Sequence, residues 1–343
     1  MFRIPLFKIR AFSMGNFANF LAALGRGGMM FILIIWLQGI WLPEHGYSFS
    51  RTPLWAGIYM VPLTVGFLIA GPVSGYLSDR FGARPFATGG MLLAALSFLL
   101  LELLPINFSY TAFAPILLLN GIAMGIFASP NRAGVMNALP PDQRGAGAGM
   151  VNTFQNSAQV LSIGIFFTLI ILGLASELPG SLYHGLISHG VPTRDALRVS
   201  HLPPVGSLFA AFLGYNPMQQ LLGATTLSHL PAATSQFLTG RSFFPGLIAA
   251  PFKKGLNLAF DFAIISCLLA AGASALRGGK YVHGQDEVAD RVEEELAAKG
   301  LAHPVDDDGA DSHGDEVDGA GQRDRAGASV SESEPGRPVG QPA

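Results

Sequence analysis

The hydrophobic positions of this chain fall into six long runs, separated by stretches that are richer in polar residues, glycine and proline. Each run approaches or exceeds the roughly 20 mostly apolar residues that a helix needs to cross a bilayer. The runs cover about residues 11–42, 54–76, 86–104, 112–136, 148–175 and 256–276. The pattern therefore predicts an all-α membrane protein in which residues 1–284 form a six-helix transmembrane bundle.

The composition supports this class and divides the chain into two parts. Half of the residues are hydrophobic and 13% are charged, whereas about a quarter are charged in soluble domains. Residues 1–284 hold 16 Lys and Arg against 7 Asp and Glu, a balance of +9, and residues 285–343 hold 5 against 16, a balance of −11. Because the second part has few apolar residues to bury, we expect residues 285–343 to form an acidic, disordered cytoplasmic tail.

Basic residues in the short connections indicate the orientation of the bundle, because cytoplasmic loops carry an excess of Lys and Arg. One side holds only Arg51 in its short loops. The basic residues of the other side are Arg3, Lys8, Arg10, Arg80, Arg84, Arg132, Arg144, Arg277 and Lys280. We therefore expect a multi-pass protein of the plasma membrane with both termini in the cytoplasm. The long loop, residues 177–255, is then extracellular, either as short helices on the outer leaflet or over the bundle mouth, or as a folded unit with its own small core.

A charged turn joins the second and third apolar runs. It reads Gly75-Tyr76-Leu77-Ser78-Asp79-Arg80-Phe81-Gly82-Ala83-Arg84. Gly75 and Gly82 allow a sharp turn and a close approach of helices. The side chains of Asp79, Arg80 and Arg84 can pair with one another or cap helix ends at the membrane surface.

The fifth apolar run carries a stripe of uncharged polar residues. Its members, at positions i, i+3, i+4 and i+7, are Asn152, Gln155, Asn156 and Gln159. This spacing places them on one face of a helix. Polar groups inside spans are costly and usually face a bundle interior or a water-filled cavity. The stripe is therefore predicted to line a permeation path, and the alternative is hydrogen bonding between helices.

The first apolar run also carries polar residues on roughly one face, namely Asn16, Asn19 and Arg26. Arg26 lies about 15 residues into the run, too deep for its side chain to reach the membrane surface easily. Glycines on both sides of it allow a helix that is unwound or closely packed, as in the discontinuous helices of transporters. Arg26 is predicted either to serve a substrate path or to pair with a structural partner.

Asp261 is the one carboxylate well inside a predicted span, about six residues into the last run. A buried carboxyl group can exchange a proton near neutral pH, which makes Asp261 a candidate proton carrier. The alternative is a hydrated residue near the outer surface. Gln38 and Asn120 are further candidates for the permeation path.

Other functions find no support in the sequence. It contains no Walker-type Gly-x-x-x-x-Gly-Lys-Ser/Thr motif, which argues against drive by ATP. It contains no convincing nucleophile–base set and no basic, aromatic-laced patch for nucleic acid. His184, His189 and His201 fit no strong metal template, and the single cysteine, Cys267, excludes an intrachain disulfide. We therefore expect no enzyme activity, no cofactor and no metal site.

The charged turn resembles the signature loop of the major facilitator superfamily, Gly-x-Leu-x-Asp-Arg-x-Gly-x-Arg. Residues 5–282 resemble the C-terminal half of the fourteen-spanner multidrug:proton antiporters of that superfamily. This likeness rests on the turn, on residues 31–43, and on residues 120–159 with their Pro130-Asn131-Arg132 motif. The resemblance implies a fold of two six-helix bundles around a path with alternating access. This chain would hold one of them, a six-helix half-bundle with a long extracellular loop.

The resemblance also implies a function, the efflux of small amphiphilic or drug-like molecules in exchange for protons. The polar residues of the first and fifth runs would line the path. The residues of the turn that would act in a cytoplasmic gate are Gly75, Asp79, Arg80, Gly82 and Arg84. The antiporter motif and the fourth-helix arginine of the family's first half have no counterpart here. Both absences fit a second half, and they put transport by this chain alone in doubt.

A lone half-bundle would expose its path residues to lipid, at about 1–3 kcal/mol for each unsatisfied uncharged group. Besides the lipid bilayer, the substrate and protons, we therefore expect a partner. It would be a complementary half of six to eight helices or, in a homodimer, a second copy of the chain. The alternative is a truncated, non-transporting membrane protein or an assembly subunit.

Overall fold

Every backbone N–H and C=O group inside a membrane must be hydrogen-bonded within the protein, and an α-helix meets this requirement within one segment. The computed structural model describes residues 4–240 and 242–278, and its apolar runs are helical. These described residues contain no β-strand. The predicted all-α fold is thus confirmed. The predicted tail, residues 285–343, lies outside the described residues.

Six helices in the described part of the chain are long and apolar enough to cross a membrane, as predicted. They are α1 (Arg10–Trp36), α4 (Val61–Phe81), α5 (Ala83–Leu103), α6 (Tyr110–Asn137), α7 (Arg144–Ile187) and α12 (Phe243–Ala275). A π-helical turn, Leu37–Trp41, and the short helix α2, Leu42–Glu44, extend α1. Helix α3, Thr52–Tyr59, leads directly into α4, and 3-10 turns at Ile4–Lys8 and Pro141–Gln143 precede α1 and α7.

The six long helices form an arc with α1 at its centre. Along the arc, α4 packs on α6, α6 on α5, α5 on α12, and α12 on α7. Helix α1 packs on α7, α12 and α6 and fills the inside of the arc. The ends of the arc, α4 and α7, do not pack closely on each other and leave one side of α1 between them. We call this side of α1, with the adjoining sides of α4 and α7, the open face.

Small residues allow the helices of the arc to approach closely. A Cβ atom on Gly121 of α6 would overlap the backbone carbonyl oxygen of Leu63 in α4. Gly173 of α7 and Gly255 of α12 meet in the same way. Lipid tails are as apolar as the helices, so the hydrophobic effect does not drive helix association inside a bilayer. Close van der Waals packing of this kind therefore stabilises the bundle.

Two helices are longer than their predicted spans. Helix α7 continues past residue 175 to Ile187 and has 44 residues; at 1.5 Å per residue it is about 66 Å long. Helix α12 begins at Phe243 rather than near residue 256. The extension of α7 carries a stripe of fully buried side chains, which are Leu178, Leu182 and Leu186. A hydropathy pattern predicts only the part of a helix that crosses the hydrocarbon core, which is about 30 Å thick. The extensions beyond it are stabilised by packing against other parts of the protein, which hydropathy does not report.

The long connection between α7 and α12 is folded. Its helices are α8 (Thr193–Ser200), α9 (Pro204–Phe212), α10 (Met218–Ser228) and α11 (Ala232–Leu238). Buried side chains of this connection, among them Leu208, Met218 and Leu222, belong to the same hydrophobic cluster as the long helices. The connection is therefore packed against the bundle, and its buried side chains share the core of the bundle instead of forming a separate one.

Aromatic residues gather at the end of the bundle opposite the charged turn. The indole N–H of Trp36 donates to the carbonyl oxygen of Ile106 at 3.1 Å, and that of Trp41 donates to Phe108 at 2.8 Å. The rings of Trp41 and Phe108 also stack, with centroids 5.0 Å apart. Tryptophan is enriched where a membrane meets water, so this cluster marks one boundary of the spanning region.

The contact between α4 and α6 gives a test of close packing. A Gly121→Val substitution drives its side chain into the backbone of Leu63, and overpacking of this kind costs about 1–3 kcal/mol or more. We expect a lower thermal unfolding temperature for the purified protein in detergent. Gly89→Val in α5 is the matched control, because nothing lies within 4 Å of a Cβ atom there. Equal unfolding temperatures for the two variants would contradict the packing argument.

Candidate translocation surface

Arg26 lies on the open face, half-buried between α1 and α4. Its guanidinium carbon is 5.5 Å from the centroid of the Phe67 ring. A cation–π contact of this kind contributes about 0.5–2 kcal/mol. Over residues 4–240 and 242–278, no carboxylate forms an ion pair with Arg26. The predicted structural acid partner is thus missing from the described part, and the charge remains uncompensated there.

The glycines next to Arg26 let α1 lie directly on α7. A Cβ atom on Gly27 would stand 2.9 Å from the backbone oxygen of Gln159. A Cβ atom on Gly28 would overlap the ring of Phe166. The glycine-rich segment therefore serves close helix packing, one of the two roles predicted for it, and it remains helical within α1.

A buried hydroxyl group fixes this contact. The Oγ atom of Ser162 in α7 accepts a hydrogen bond from the backbone N–H of Gly28 at 2.8 Å. The same hydroxyl donates a hydrogen bond to the carbonyl oxygen of Leu24. Ser162 thereby bonds to both the N–H of Gly28 and the carbonyl oxygen of Leu24, the two groups that pair in one turn of α1. Arg26 lies between these two residues in the sequence. A side chain inserted at such a step locally sets the geometry of a helix, so Ser162 positions the segment that carries Arg26.

The polar stripe of α7 borders the open face. The amide nitrogen of Asn19 donates to Oε1 of Gln155 at 3.4 Å and joins α1 to α7. Near the charged turn, Asn152 accepts a hydrogen bond from Arg132 of α6, also at 3.4 Å. The stripe residues that lie exposed are Asn152, Asn156 and Gln159. Gln155 and Asn152 thus bond to residues of other helices, whereas Asn156 and Gln159 face outward.

Three further predicted path residues lie elsewhere. Asn16 is buried at 2% exposure, and no described residue bonds its Oδ1 atom. Asn120 is fully buried and donates to the hydroxyl of Ser97 at 2.7 Å, an interhelical bond between α6 and α5. Gln38 is half-buried in the π-helical turn at the far end of α1. None of the three shares the immediate surroundings of Arg26.

Asp261 is also separate from the open face. It is exposed on the side of α12 that carries exposed Ile265 and Leu268, while the other sides pack on α1, α5 and α7. Lys253 donates to the backbone carbonyl of Glu102 at 2.6 Å, so α12 passes the end of α5 there. Asp261 follows eight residues later, which is about 12 Å further along the helix. Its role as a proton carrier stays a prediction.

The charged turn has the tight form that the sequence predicts. Helix α4 ends at Phe81 and α5 begins at Ala83, so Gly82 alone connects them. Gly82 has a φ angle of +85°, which glycine adopts without strain. Its N–H donates to the carbonyl oxygen of Ser78 at 2.8 Å. The charged residues of the turn, all exposed, are Asp79, Arg80 and Arg84.

The turn stands beside a cavity at this end of the bundle. Asp79 and Arg84 line the cavity, which has a volume of about 380 Å³ and also contacts α6 and the ends of α1 and α12. Arg80 does not line it, and its guanidinium carbon is 5.7 Å from the Phe81 ring. Gly75 lies earlier in α4 and against α6, where a Cβ atom would stand 2.7 Å from the Ser129 hydroxyl oxygen.

Comparison with known proteins identifies the family that has this architecture. The family model of the Major Facilitator Superfamily matches residues 2–163, a segment that contains both the charged turn and Arg26. Over this segment, which is just under half of the chain, the protein resembles the major facilitator superfamily. This is a family of membrane transporters, and the six long apolar helices of the described residues support a multi-pass membrane protein.

Curated members of the superfamily are similar over part of their length. The multidrug transporter protein MdtP of Bacillus subtilis is 26% identical over 308 residues, which cover 87% of this chain and 51% of MdtP. The riboflavin transporter RibZ of Clostridioides difficile is 25% identical over 163 residues, 48% of this chain and 34% of RibZ. The methyl viologen resistance protein SmvA of Salmonella typhimurium is 32% identical over 140 residues, 40% and 28% of the two chains. The chain thus spans about a third to a half of these relatives.

Two side chains with structural roles are not indicated by any local pattern in the sequence. Ser162 gave no signal because a single serine is common in membrane helices, and only the structure shows that it bridges α1. Arg277 was counted only among the basic residues that set orientation, although it is 5% exposed. Burial at a helix end depends on neighbours that are distant in the chain, which no local pattern reports.

Ser162 can be tested by removing its hydroxyl group. Ser162→Ala leaves the Gly28 N–H without its bridging acceptor, and we expect a loss of about 1–3 kcal/mol in stability. Faster amide exchange in residues 24–28, followed by hydrogen-exchange mass spectrometry, should accompany it. Ser157→Ala is the matched control, because Ser157 is exposed on the same helix. Exchange that is equally slow in both variants would show that Ser162 does not hold α1.

Proposed function

We propose that this chain is one half of a transporter and that its open face lines half of a translocation path. Arg26 carries this proposal. It is a half-buried cation on α1, its guanidinium group rests on Phe67, and the described residues supply it with no acid. A charge in such a place is costly against lipid and typical of a substrate or ion path. The uncharged amides along α7 suit the same path.

The surroundings of the open face support a partner bundle. The helices that border it expose large apolar side chains, with Leu68 of α4 at 70% and Val160 of α7 at 73% exposure. A polar strip between two apolar helices fits the contact surface of a second bundle with a watery path between the two. The partner in this proposal is a complementary half of six to eight helices or a second copy of the chain.

The proposed activity is efflux of small amphiphilic or drug-like molecules in exchange for protons across the plasma membrane. The names of MdtP, RibZ and SmvA support a small organic substrate. The open face of this half offers amides and a cation, so it favours neutral or anionic substrate groups. A cationic substrate would need carboxylates from the other half. Asp261 is the proton carrier in this proposal, and both termini are cytoplasmic.

The charged turn is the proposed gate at the cytoplasmic end. Asp79, Arg80 and Arg84 are exposed around a single-residue connection, a position from which they would contact a second bundle as the two halves rock. Charged groups at such a contact hold one state of an alternating-access cycle and release it in the other. The turn is suited to this role because it lies at the end of the bundle rather than in its core.

A second candidate is a non-transporting membrane protein, either a truncated product or an assembly subunit. The observation that favours it is coverage, because the chain spans only about half of MdtP. Genomic context separates the two candidates. An adjacent reading frame that encodes six to eight spans would support a split transporter.

Arg26 gives the first functional prediction. In proteoliposomes of the purified full chain with an internal pH-sensitive dye, we expect proton flux that depends on an added probe, riboflavin or methyl viologen. Arg26→Gln should reduce this flux at least tenfold, a change of about 1.4 kcal/mol in the barrier. Arg51→Gln is the matched control, since Arg51 is exposed in a short loop at the other end, and its flux should stay within about twofold.

The wild-type result also shows whether the pure chain transports without a different partner chain. Absence of probe-dependent flux from the pure chain would reject transport by this polypeptide alone. The same variants are then compared after reconstitution with the product of an adjacent six-to-eight-span frame. Equal flux for Arg26→Gln and Arg51→Gln in an active preparation would refute the assignment of Arg26 to the path.

The gate gives a separate prediction. Asp79→Asn removes a charge at the turn without changing the size of the side chain, and we expect loss of efflux in cells that carry the chain together with its complementary half. Immunoblotting of membranes controls for expression. Unchanged efflux at normal expression would sink the gate assignment and leave the path assignment intact.

A further inference from the structure

Arg277 is a buried cation at the end of the bundle that carries the charged turn. It follows α12, which ends at Ala275, and only 5% of the residue is exposed. One of its terminal nitrogens donates to Oδ1 of Asn131 in α6, and Asn131 in turn donates to the carbonyl oxygen of Gly15 at 3.2 Å. The guanidinium group is thus held by a defined set of neighbours.

Two glycines make room for this guanidinium group. A Cβ atom on Gly15 of α1 would stand 2.8 Å from Nη2 of Arg277, and a Cβ atom on Gly134 of α6 would stand 2.7 Å from Nη1. Any larger residue at these positions would displace the arginine. The two helices therefore form a built seat for it.

The charge in this seat lacks a counter-ion. Nε and Nη1 of Arg277 are buried without a hydrogen-bond partner, and no acid pairs with the residue within the ranges that the structure describes. Burial lowers the pKa of Arg277 to about 10, so the group remains charged at neutral pH. A buried charge without a partner is strongly destabilising. An anion from outside the described residues would relieve this cost.

Arg277 also forms part of the wall of the 380 Å³ cavity beside the charged turn. Other polar residues of the wall are Ser78, Asp79, Arg84 and Asn137. Arg84 and Arg277 supply two positive charges and Asp79 supplies one negative charge. The resulting balance of +1 fits a ligand with a single negative charge better than a dianion.

We propose that this cavity binds the phosphate group of an anionic lipid headgroup. The wall lies where the apolar helix α4 ends and α5 begins. The ends of spanning helices lie at the level of the headgroups in a bilayer. Basic pockets between membrane helices at this level are suited to anionic lipids. Arginine forms strong charge-assisted hydrogen bonds with phosphate oxygens, and a phosphodiester carries the single charge that the wall requires.

The test compares lipids on the purified full chain in detergent. Dioctanoyl phosphatidylglycerol, dioctanoyl phosphatidylcholine and inorganic phosphate are titrated at equal ionic strength, with native mass spectrometry and thermal unfolding as readouts. We expect saturable binding and stabilisation with phosphatidylglycerol, and at least tenfold weaker binding of the other two. Because no transport is measured, the result is independent of the proposed function.

Variants of Arg277 sharpen the test. Arg277→Gln should weaken phosphatidylglycerol binding at least tenfold, and Arg277→Lys should weaken it less because the charge is kept. Arg144→Gln is the matched control, an exposed arginine at the same end that does not line the cavity, and its effect should stay within about twofold. Without lipid, Arg277→Gln should unfold at the same or a higher temperature than the wild type, since it removes an unpaired buried charge.

Several outcomes would overturn the proposal. Phosphatidylglycerol binding that is equal in Arg277→Gln and Arg144→Gln would remove Arg277 from the site. Equal binding of inorganic phosphate or of phosphatidylcholine would reject an anionic lipid as the ligand. Binding that appears only after deletion of residues 285–343 would show that the acidic part of the chain is the occupant instead.

Discussion

Close contact between helix backbones is the constraint on which this structure depends. Inside a bilayer, burial of apolar side chains against other helices gains little over burial against lipid, so packing and hydrogen bonds decide which helices meet. Gly28 brings α1 against Phe166 of α7, and Gly121 brings α6 against Leu63 of α4. These contacts place α1 inside the arc. The same contacts leave one side of α1 between α4 and α7, and that side carries Arg26.

The arc gives the polar residues of one bundle different environments. Asn120 donates a hydrogen bond to Ser97 within the bundle. The hydroxyl of Ser162 in α7 likewise donates to the backbone of α1, at the carbonyl oxygen of Leu24. Asn156 and Gln159 face outward instead. A membrane protein that satisfied all its polar groups internally would have no reason to keep these amides on an outer surface. The uneven distribution is the physical argument behind the proposal that the open face meets water or another protein.

Hydropathy predicted the six spans because lipid imposes a length on every apolar run, and the glycine at position 82 predicted the tight turn. Local patterns did not predict where helices continue beyond the membrane, since the buried stripe of Leu178, Leu182 and Leu186 gains its stability from protein contacts. They also did not show which side of α12 carries Asp261, which the structure places on an exposed side of that helix. A helical stripe gives the face of one helix, and only the packing of several helices shows which face looks into a path.

Arg26 and Arg277 show how much the position of a charge matters. Both are arginines without a carboxylate partner in the described ranges, yet their surroundings differ. Arg26 lies within a span, rests on an aromatic ring and borders an open surface, so a substrate or a second bundle can reach it. Arg277 sits between Gly15 and Gly134 beside a cavity of about 380 Å³. The two proposals therefore differ, because a charge on an open surface suits a passing substrate or a second bundle, whereas a charge beside a cavity suits a bound anion.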